Sequence, residues 1–315
     1  MHFRKPFNQL ACPQGQTQRL RIYSIVLVAA SISCVGRGYR ASQRTADELL
    51  FDLQRSSDAG VRAAAARRLG DLKERRAVEP LLTVLGNSPV EALSRSAIYA
   101  LGELRDGRAV DGLVNVLRFG TRPMKGLAAR ALGKIHDIRS VDPLAAELAN
   151  VGEEAGKALA SIGEPSVPPL IRCLRQPDTR EYAVTALAAI GPSAVEPLIH
   201  ALRTERESGR YAAARALAEI RDRRAEAALL DALRGEDLKL AAATYRFLIR
   251  SGSSEAENLL KKVLTEYGNF EMAQDFVACG NKRLGLFAES WETEHGFVPE
   301  KLPAERSAVT WASMP

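Results

Sequence analysis

The sequence predicts an all-α protein in which about seven two-helix repeats stack into an α-α superhelix, or solenoid, closed by a helical C-terminal cap. Three observations support this fold class. A similar phrase recurs at a nearly constant interval, alanine and leucine recur at helical spacing within each copy, and only 6% of the 315 residues are aromatic although 46% are hydrophobic. Two short helices cannot bury their apolar faces alone, whereas stacked copies share one continuous core.

The period of the repeat is measured from one leucine that recurs in each copy. Successive leucines are 32, 31, 26, 28, 31 and 30 residues apart. They are Leu81, Leu113, Leu144, Leu170, Leu198, Leu229 and Leu259. The period therefore predicts seven repeats across residues 59–268, preceded by a linker and an N-capping helix in residues 37–58.

Each repeat contains two helical patterns, a first helix rich in alanine and a second helix that carries the recurring leucine. In one first helix, Ala183, Leu187 and Ile190 fall on a single face. A turn signal such as Gly191-Pro192 follows, and the second helix then carries a proline in its first turn, where a missing N–H costs little. Small alanine side chains let the partner helix approach closely.

The C-terminal region differs from the repeats in composition. Residues 269–299 concentrate large apolar side chains, including Phe276 and Trp291. Because a terminal repeat has one face without a neighbour, we expect these residues to form a helical cap. Residues 300–315 are expected to form a flexible tail.

Residues 1–36 predict an export signal, a lipoprotein-like segment or a membrane anchor. Residues 22–36 carry no charge and follow a basic leader, which is typical of an export signal. As a helix they would span about 22 Å, less than the hydrocarbon core of about 30 Å. The letters "SISC" resemble a bacterial lipoprotein box, although Ser31 replaces its apolar residue, and Cys34 is the candidate for lipidation. We therefore expect an exported or membrane-associated protein rather than a cytoplasmic one.

The positive charge is confined to the N-terminal region. The formal net charge is +6, but residues 1–45 contain seven Lys or Arg and no acid, which leaves 37 basic and 38 acidic residues in the remainder. A domain that binds a phosphate backbone usually carries a basic excess on its folded body. The composition therefore does not favour nucleic-acid binding.

The recurring phrases "LGDLKERRAVEPLL", "LGELRDGRAVDGL" and "AAIGPSAVEPLIHAL" resemble HEAT-like repeats of the phycobilisome-lyase type. The resemblance implies a HEAT/armadillo-like fold, which serves as a scaffold, as a chromophore lyase and, in one branch, as an iron hydroxylase. It also implies that a loop Asp and the following Arg form a ladder of hydrogen bonds between repeats. The matching residues are Asp106, Arg108, Asp137, Arg139, Asp222 and Arg224. Repeats four and five lack both, so an interruption is expected there.

No pattern in the sequence predicts a catalytic site. The deoxyhypusine hydroxylase branch uses repeated His-Glu pairs, and this chain has no His-Glu step. Its four Cys and four His are scattered without zinc-ligand spacing. We therefore predict a non-catalytic scaffold without catalytic residues, metal or cofactor. A lyase-like or hydroxylase-like enzyme with an unrecognised site and a nucleic-acid-binding HEAT-like protein are the alternatives.

The candidate binding surface consists of two rows on the second helices. Side chains two residues after the recurring leucine should face outward, and a row three residues further contains four arginines. Stacked arginines can bind an acidic segment of a protein or peptide, although a basic residue in the last turn also simply suits the helix dipole. The candidates, expected on the concave face, are Asn115, Arg118, Arg172, Arg175, His200, Arg203, Asp231, Arg234 and Lys261.

Overall fold

The computed structural model describes residues 44–87, 90–235 and 237–296. The predicted export segment with Cys34 and the predicted tail lie outside these described residues. Within them the secondary structure is entirely helical, which confirms the predicted all-α class. The helices are α1 (Ala46–Arg55), α2 (Ala59–Asp71), α3 (Val78–Asn87), α4 (Glu91–Leu104), α5 (Val110–Phe119), α6 (Arg122–Ile135), α7 (Val141–Ala146), α8 (Leu148–Val151), α9 (Glu153–Ile162), α10 (Val167–Cys173), α11 (Pro177–Ile190), α12 (Val195–Thr204), α13 (Glu207–Ile220), α14 (Arg223–Leu233), α15 (Leu238–Ala243), α16 (Tyr245–Ser251), α17 (Ser254–Tyr267), α18 (Phe270–Ala278) and α19 (Lys282–Glu294).

The helices alternate between two layers. The first-helix layer contains α2, α4, α6, α9, α11, α13, α15 with α16, and α18. The second-helix layer contains α1, α3, α5, α7 with α8, α10, α12, α14, α17 and α19. Helices in one layer pack side by side, and the apolar faces of both layers enclose one continuous core.

Helix pairing differs from the predicted repeat boundaries. The sequence analysis grouped each first helix with the second helix that follows it across a short 3₁₀ turn. Along most of the array, however, a second helix packs more extensively against the first helix that comes after it, as α3 does against α4 and α5 against α6. Helix α1 likewise packs against α2, so it is the outer member of the first pair rather than an unpaired cap. A periodic sequence defines the interval between repeats but not the point at which one begins.

The ends of the first helices follow two designs. In four repeats a residue just past the helix end adopts a left-handed conformation, with φ between 50° and 61°. Arg105, His136 and Arg221 follow their helices directly, and Lys73 follows α2 after Leu72. In each of the four the next residue is an acid whose side chain accepts a backbone N–H and so begins the following turn. Repeats four and five instead use Gly163 and Gly191, with φ of 87° and 77° and strongly negative ψ, which only glycine adopts readily.

The recurring leucines form the centre of the core, with one exception. Six of the seven predicted leucines are fully buried. In the seventh repeat Leu260 is fully buried, and the predicted Leu259 is only partly buried. The register predicted for α17 was therefore wrong by one residue, because two adjacent leucines satisfy the same pattern. Lys261 consequently lies beside the outward row rather than in it, and its ammonium group pairs with Glu257 at 2.7 Å.

In the first four repeats, neighbouring first helices approach so closely that a glycine is required at each of three crossings. A β-carbon built on three glycines of α2, α4 and α6 would lie 2.7–3.0 Å from the Cα atom of an alanine on the next first helix. The pairs are Gly70 with Ala100, Gly102 with Ala131, and Gly133 with Ala158. Between second helices, a β-carbon on Gly112 would meet side-chain atoms rather than backbone, with Cδ2 of Leu82 at 2.5 Å and Cδ2 of Leu85 at 4.0 Å. The two layers therefore have different spacings.

This difference in spacing determines the direction of curvature. Both layers contain the same succession of repeats, so the more closely packed layer spans the shorter arc and lies on the inside. First helices also contact each other more extensively than second helices do. The concave face is therefore formed by the first-helix layer. The sequence analysis had placed it on the second helices, and that placement was wrong.

One stretch within the described residues, Pro177–Thr204, is long and apolar enough to cross a membrane by length and composition alone. It consists of α11 and α12, separated by the turn Gly191–Ala194. Each helix is shorter than the roughly 20 residues that a membrane span needs, and both pack against neighbouring repeats. This stretch is therefore explained as repeat core.

Candidate functional site

The six residues predicted to form a ladder lie at the turns between first and second helices. Asp106 Oδ1 accepts hydrogen bonds from the backbone N and the Nε of Arg108, both at 3.0 Å. Arg108 Nη2 in turn donates to the carbonyl oxygen of Arg75 in the preceding turn, at 3.4 Å. Arg139 reaches the carbonyl of Gly107 at 2.6 Å, and Arg224 that of Pro192 at 3.2 Å.

These contacts hold the carboxyl groups ionised and predict a loss of stability in acid. Hydrogen bonds from Arg108 lower the pKa of Asp106 from 3.8 to about 2. The pKa values of Asp137 and Asp222 are lowered for the same reason by their arginines. A carboxyl group with a lowered pKa stabilises the fold above its ordinary pKa and loses that contribution as the pH falls through the folded value.

We therefore expect the urea midpoint to decrease between about pH 4 and pH 2. The Asp106→Asn variant should show a smaller decrease over the same range, because asparagine does not titrate. Asp111→Asn is the matched control, since its carboxyl group is exposed and lies 3.7 Å from Arg139. An acid response of Asp106→Asn identical to that of the wild type would contradict the role of this carboxylate.

Other contacts replace the ladder where repeats four and five interrupt it. The Ser161 hydroxyl lies 2.9 Å from Nε2 of His136, whose Nδ1 faces the carbonyl oxygen of Lys134 at 2.9 Å. Arg172, one of the predicted binding residues, lies 3.4 Å from Asp142 of the preceding repeat. The Ser–His contact therefore links two repeats at exposed turns.

The nine predicted binding residues lie on the outer layer. Eight are exposed, and Lys261 is partly buried. Arg175 donates two hydrogen bonds to Glu205, at 2.6 and 3.0 Å, and Arg234 pairs with Asp231 at 3.2 Å. Part of the arginine row is therefore already neutralised within the chain. A role in partner binding for all nine residues stays a prediction, now for the convex side.

The concave face contains an open groove that the sequence analysis did not identify. It has a volume of about 710 Å³ and runs across α11, α13, α15, α16 and α18. Five arginines and three glutamates contribute to its lining, together with two tyrosines. The charged residues are Arg180, Glu181, Arg215, Glu219, Arg221, Arg246, Arg250 and Glu271, and the tyrosines are Tyr211 and Tyr245.

At one side of the groove, Arg215 and Glu181 form a two-pronged ion pair between α13 and α11. The two hydrogen bonds measure 2.6 and 2.7 Å. Hydrogen bonding from Arg215 lowers the pKa of Glu181. Glu219, one turn further along α13, has a raised pKa because neighbouring side chains desolvate it, despite the nearby Arg215. The two carboxyl groups therefore have opposite electrostatic environments.

At the other side, Asp275 joins the first helix of the seventh repeat to the cap. Its Oδ2 accepts hydrogen bonds from the Tyr245 hydroxyl at 2.7 Å and from Arg246 Nε at 2.8 Å. Arg246 also pairs with Glu271 at 2.8 Å. Burial, followed by the hydrogen bond to Asp275, raises the pKa of Tyr245. These contacts fix the side chains that form this wall.

Two further arginines of the groove donate hydrogen bonds to backbone carbonyls. Arg180 donates to the carbonyls of Leu174 and Arg175, at 3.1 and 3.4 Å. Arg250 donates to the carbonyl of Ala218. That carbonyl belongs to the residue three positions before Arg221, and both guanidinium-bearing residues line the same groove. Burial and the charge of Arg221 lower the pKa of Arg250. Within the described residues, no ion pair joins Arg180, Arg221 or Arg250 to a carboxylate.

An apolar cleft of about 380 Å³ adjoins the groove across α9 and α11, and Glu181 contributes to both. Small side chains widen it, including Gly156, Ala160 and Ala186, and Tyr182 forms one wall with 38% of its surface exposed. Alternating Arg and Glu on the first helices was the signal that could have indicated this surface.

Among the residues that the structure describes, no group of three or more His, Cys, Asp or Glu side chains is arranged to hold a metal ion. Cys173 is partly buried and Cys279 is buried, and burial raises the pKa of both thiols.

Comparisons with known proteins agree with the repeat architecture. The sequence model of the family described as HEAT repeats matches residues 27–102, 46–133, 167–246 and 195–271, which together cover more than half of the chain. A search of curated proteins found no significant match.

Two solved structures show what the chain is similar to. One is the complex of CpcE and CpcF of phycocyanin lyase from Nostoc sp. PCC7120, with 24% identity, a TM-score of 0.41, and 70% of this chain and 96% of that chain covered. The other is human deoxyhypusine hydroxylase in complex with glycerol, with 18% identity, a TM-score of 0.32, and 83% and 99% covered.

Proposed function

The chain belongs to the HEAT-repeat family, and from this premise we propose that it is a non-catalytic scaffold that binds a protein or peptide segment along its concave face. The observation that carries the proposal is the open, charged groove of the first-helix layer. Its position on the inner side of the array suits a long ligand that contacts several repeats at once. We further propose that residues 1–36 direct export or attach the protein to a membrane.

Two features support a binding role for this groove. Side chains that project into it are held by cross-repeat bonds, such as the pair of Arg215 with Glu181 and the contacts of Asp275, so little side-chain entropy is lost on binding. Tyr182 of the adjoining cleft presents a large amphipathic surface, which is common at protein interfaces. The surface is therefore formed before a partner arrives.

Site-specific photo-crosslinking in the native cells tests this proposal. A benzoylphenylalanine residue replaces Tyr182 or Glu219 on the first-helix layer, and matched variants carry it at Asn115 or His200 on the second-helix layer. All four positions are exposed. We expect a crosslinked protein species from the inner positions and none from the outer ones.

Two results would contradict the proposal. Crosslinks from Asn115 and His200 alone would show that the partner binds the convex side, where the arginine row predicted from the sequence lies. Stoichiometric iron in the purified protein would favour the hydroxylase-like alternative over a scaffold.

A further inference from the structure

We propose that the partner segment carries acidic side chains that bind between Arg221 and Arg250, and an apolar side chain that enters the adjoining cleft beside Tyr182. This inference rests on the proposed function and specifies the chemistry of the ligand. The occupant is an extended segment of another protein, because the groove and the cleft adjoin at Glu181 and together extend across α9, α11, α13 and α16.

The balance of charge in the groove supports the proposal that the ligand contains acidic side chains. Two of its three glutamates, Glu181 and Glu271, already pair with Arg215 and Arg246. Once these pairs are set aside, three arginines face one glutamate, Glu219. A carboxylate is the complementary ligand, because a guanidinium group can bind it through two parallel hydrogen bonds.

The positions of Arg221 and Arg250 identify where the acid binds. Arg221 stands at the left-handed end of α13, and Arg250 lies on α16 with its guanidinium bonded to the Ala218 carbonyl. Two cations held close together repel each other, and an anion between them relieves that repulsion. The titratable groups that act on Arg250 are Arg221, Glu226, Glu219 and Arg246, two acids and two further cations.

The adjoining cleft supports the proposal that the ligand also contains an apolar side chain. Its surface is mostly apolar, from Ala160, Ala186, Ala189 and the Tyr182 ring. Polar groups of Glu153, Lys157 and Thr185 stand at its edges. An aliphatic or aromatic side chain fits such a cleft and would displace water from it.

Selection from a displayed library of random 12-residue peptides tests both parts of the proposal. The bait is the immobilised full-length chain at low ionic strength, and selected peptides are synthesised with a fluorescent label for anisotropy titration. We expect enrichment of Asp and Glu together with Leu, Ile, Phe or Tyr in the same peptide. We also expect affinity to fall as salt increases.

Substitutions of the two arginines test whether they bind the acidic residues of the selected peptides. Arg250→Ala removes one guanidinium, and Arg221→Asn removes the other while keeping a residue that tolerates the left-handed conformation. We expect the double variant to bind the selected acidic peptides at least about tenfold more weakly. Arg55→Ala with Arg122→Ala is the control, because it removes two exposed arginines from α1 and α6 and should leave binding unchanged. Far-UV circular dichroism verifies folding, and the single Arg221→Asn variant provides the test if Arg250→Ala destabilises the chain.

The outcomes separate this inference from the proposed function. Peptides that lack acidic residues but crosslink at Tyr182 or Glu219 would overturn the inference and leave the scaffold proposal intact. Equal binding of acidic peptides by wild type and double variant would also overturn it. Enrichment of basic peptides, or preferential binding of a single-stranded oligonucleotide probe, would reject an acidic protein segment as the ligand.

Discussion

Replacing Gly133 with alanine is expected to lower the free energy of unfolding by about 1–3 kcal/mol, the usual cost of overpacking a well-filled interior. The added β-carbon would lie 2.8 Å from Cα and 3.0 Å from Cβ of Ala158 on the next first helix. Both atoms belong to a helix that cannot move locally, so α6 and α9 would have to separate. Separation would also loosen the contacts that give the concave layer its close spacing.

Gly126 is the matched control for this experiment because it lies in the same helix. A β-carbon there would meet only Cγ of Glu154, at 3.8 Å. Gly126→Ala should therefore raise the free energy of unfolding by about 0.5–1 kcal/mol, since alanine loses less backbone entropy in a helix than glycine does. Urea unfolding followed by circular dichroism measures both variants. A Gly133→Ala protein as stable as Gly126→Ala would show that the first helices are not packed this closely.

Replacing Ser140 and Ser166 with alanine is expected to stabilise the protein by about 1–3 kcal/mol at each position. Both side chains are fully buried, and their hydroxyl groups find no hydrogen-bond partner within the described residues. A buried donor without a partner loses its bonds to water and gains nothing in return. The five other repeats carry a buried alanine at the same position, four residues before the buried leucine: Ala77, Ala109, Ala194, Ala225 and Ala256.

The reverse substitution provides the control. Ala109→Ser places an identical hydroxyl in the equivalent site of another repeat and should lower the free energy of unfolding by a similar amount. The measurement is again the urea midpoint. If the free energy of unfolding depends on urea concentration with the same slope in variant and wild type, their unfolded states are comparable. If Ser140→Ala and Ser166→Ala are neutral or destabilising, the two hydroxyl groups have partners in solution and the expected gain is absent.

The repeats and their turns were predicted well because their signals are local. The recurring leucine, the alanine spacing and the Asp-x-Arg step each involve residues within one or two helices, so one copy of the phrase contains most of the information. The hydrogen bonds of Arg108 and Arg139 to the preceding turns follow the ladder that the resemblance implied. The error at Leu259 arose where two neighbouring leucines made the local pattern ambiguous.

The groove was missed because its residues come from three repeats and the cap. Arg215 meets Glu181 across 34 positions of sequence, and Tyr245 meets Asp275 across 30. Each of these residues alone is typical of an exposed or partly packed helix face. Only their juxtaposition on the inner layer distinguishes them from ordinary surface.

By itself the sequence determined the all-α class, the period, the family and the positions that form the core, because each of these depends on spacing along the chain. Only the tertiary structure decided which helices pair, which layer lies inside and where the groove lies. The physical reason is that curvature depends on the difference between two interhelical spacings. That difference is set by contacts such as Gly133 against Ala158, between residues 25 positions apart.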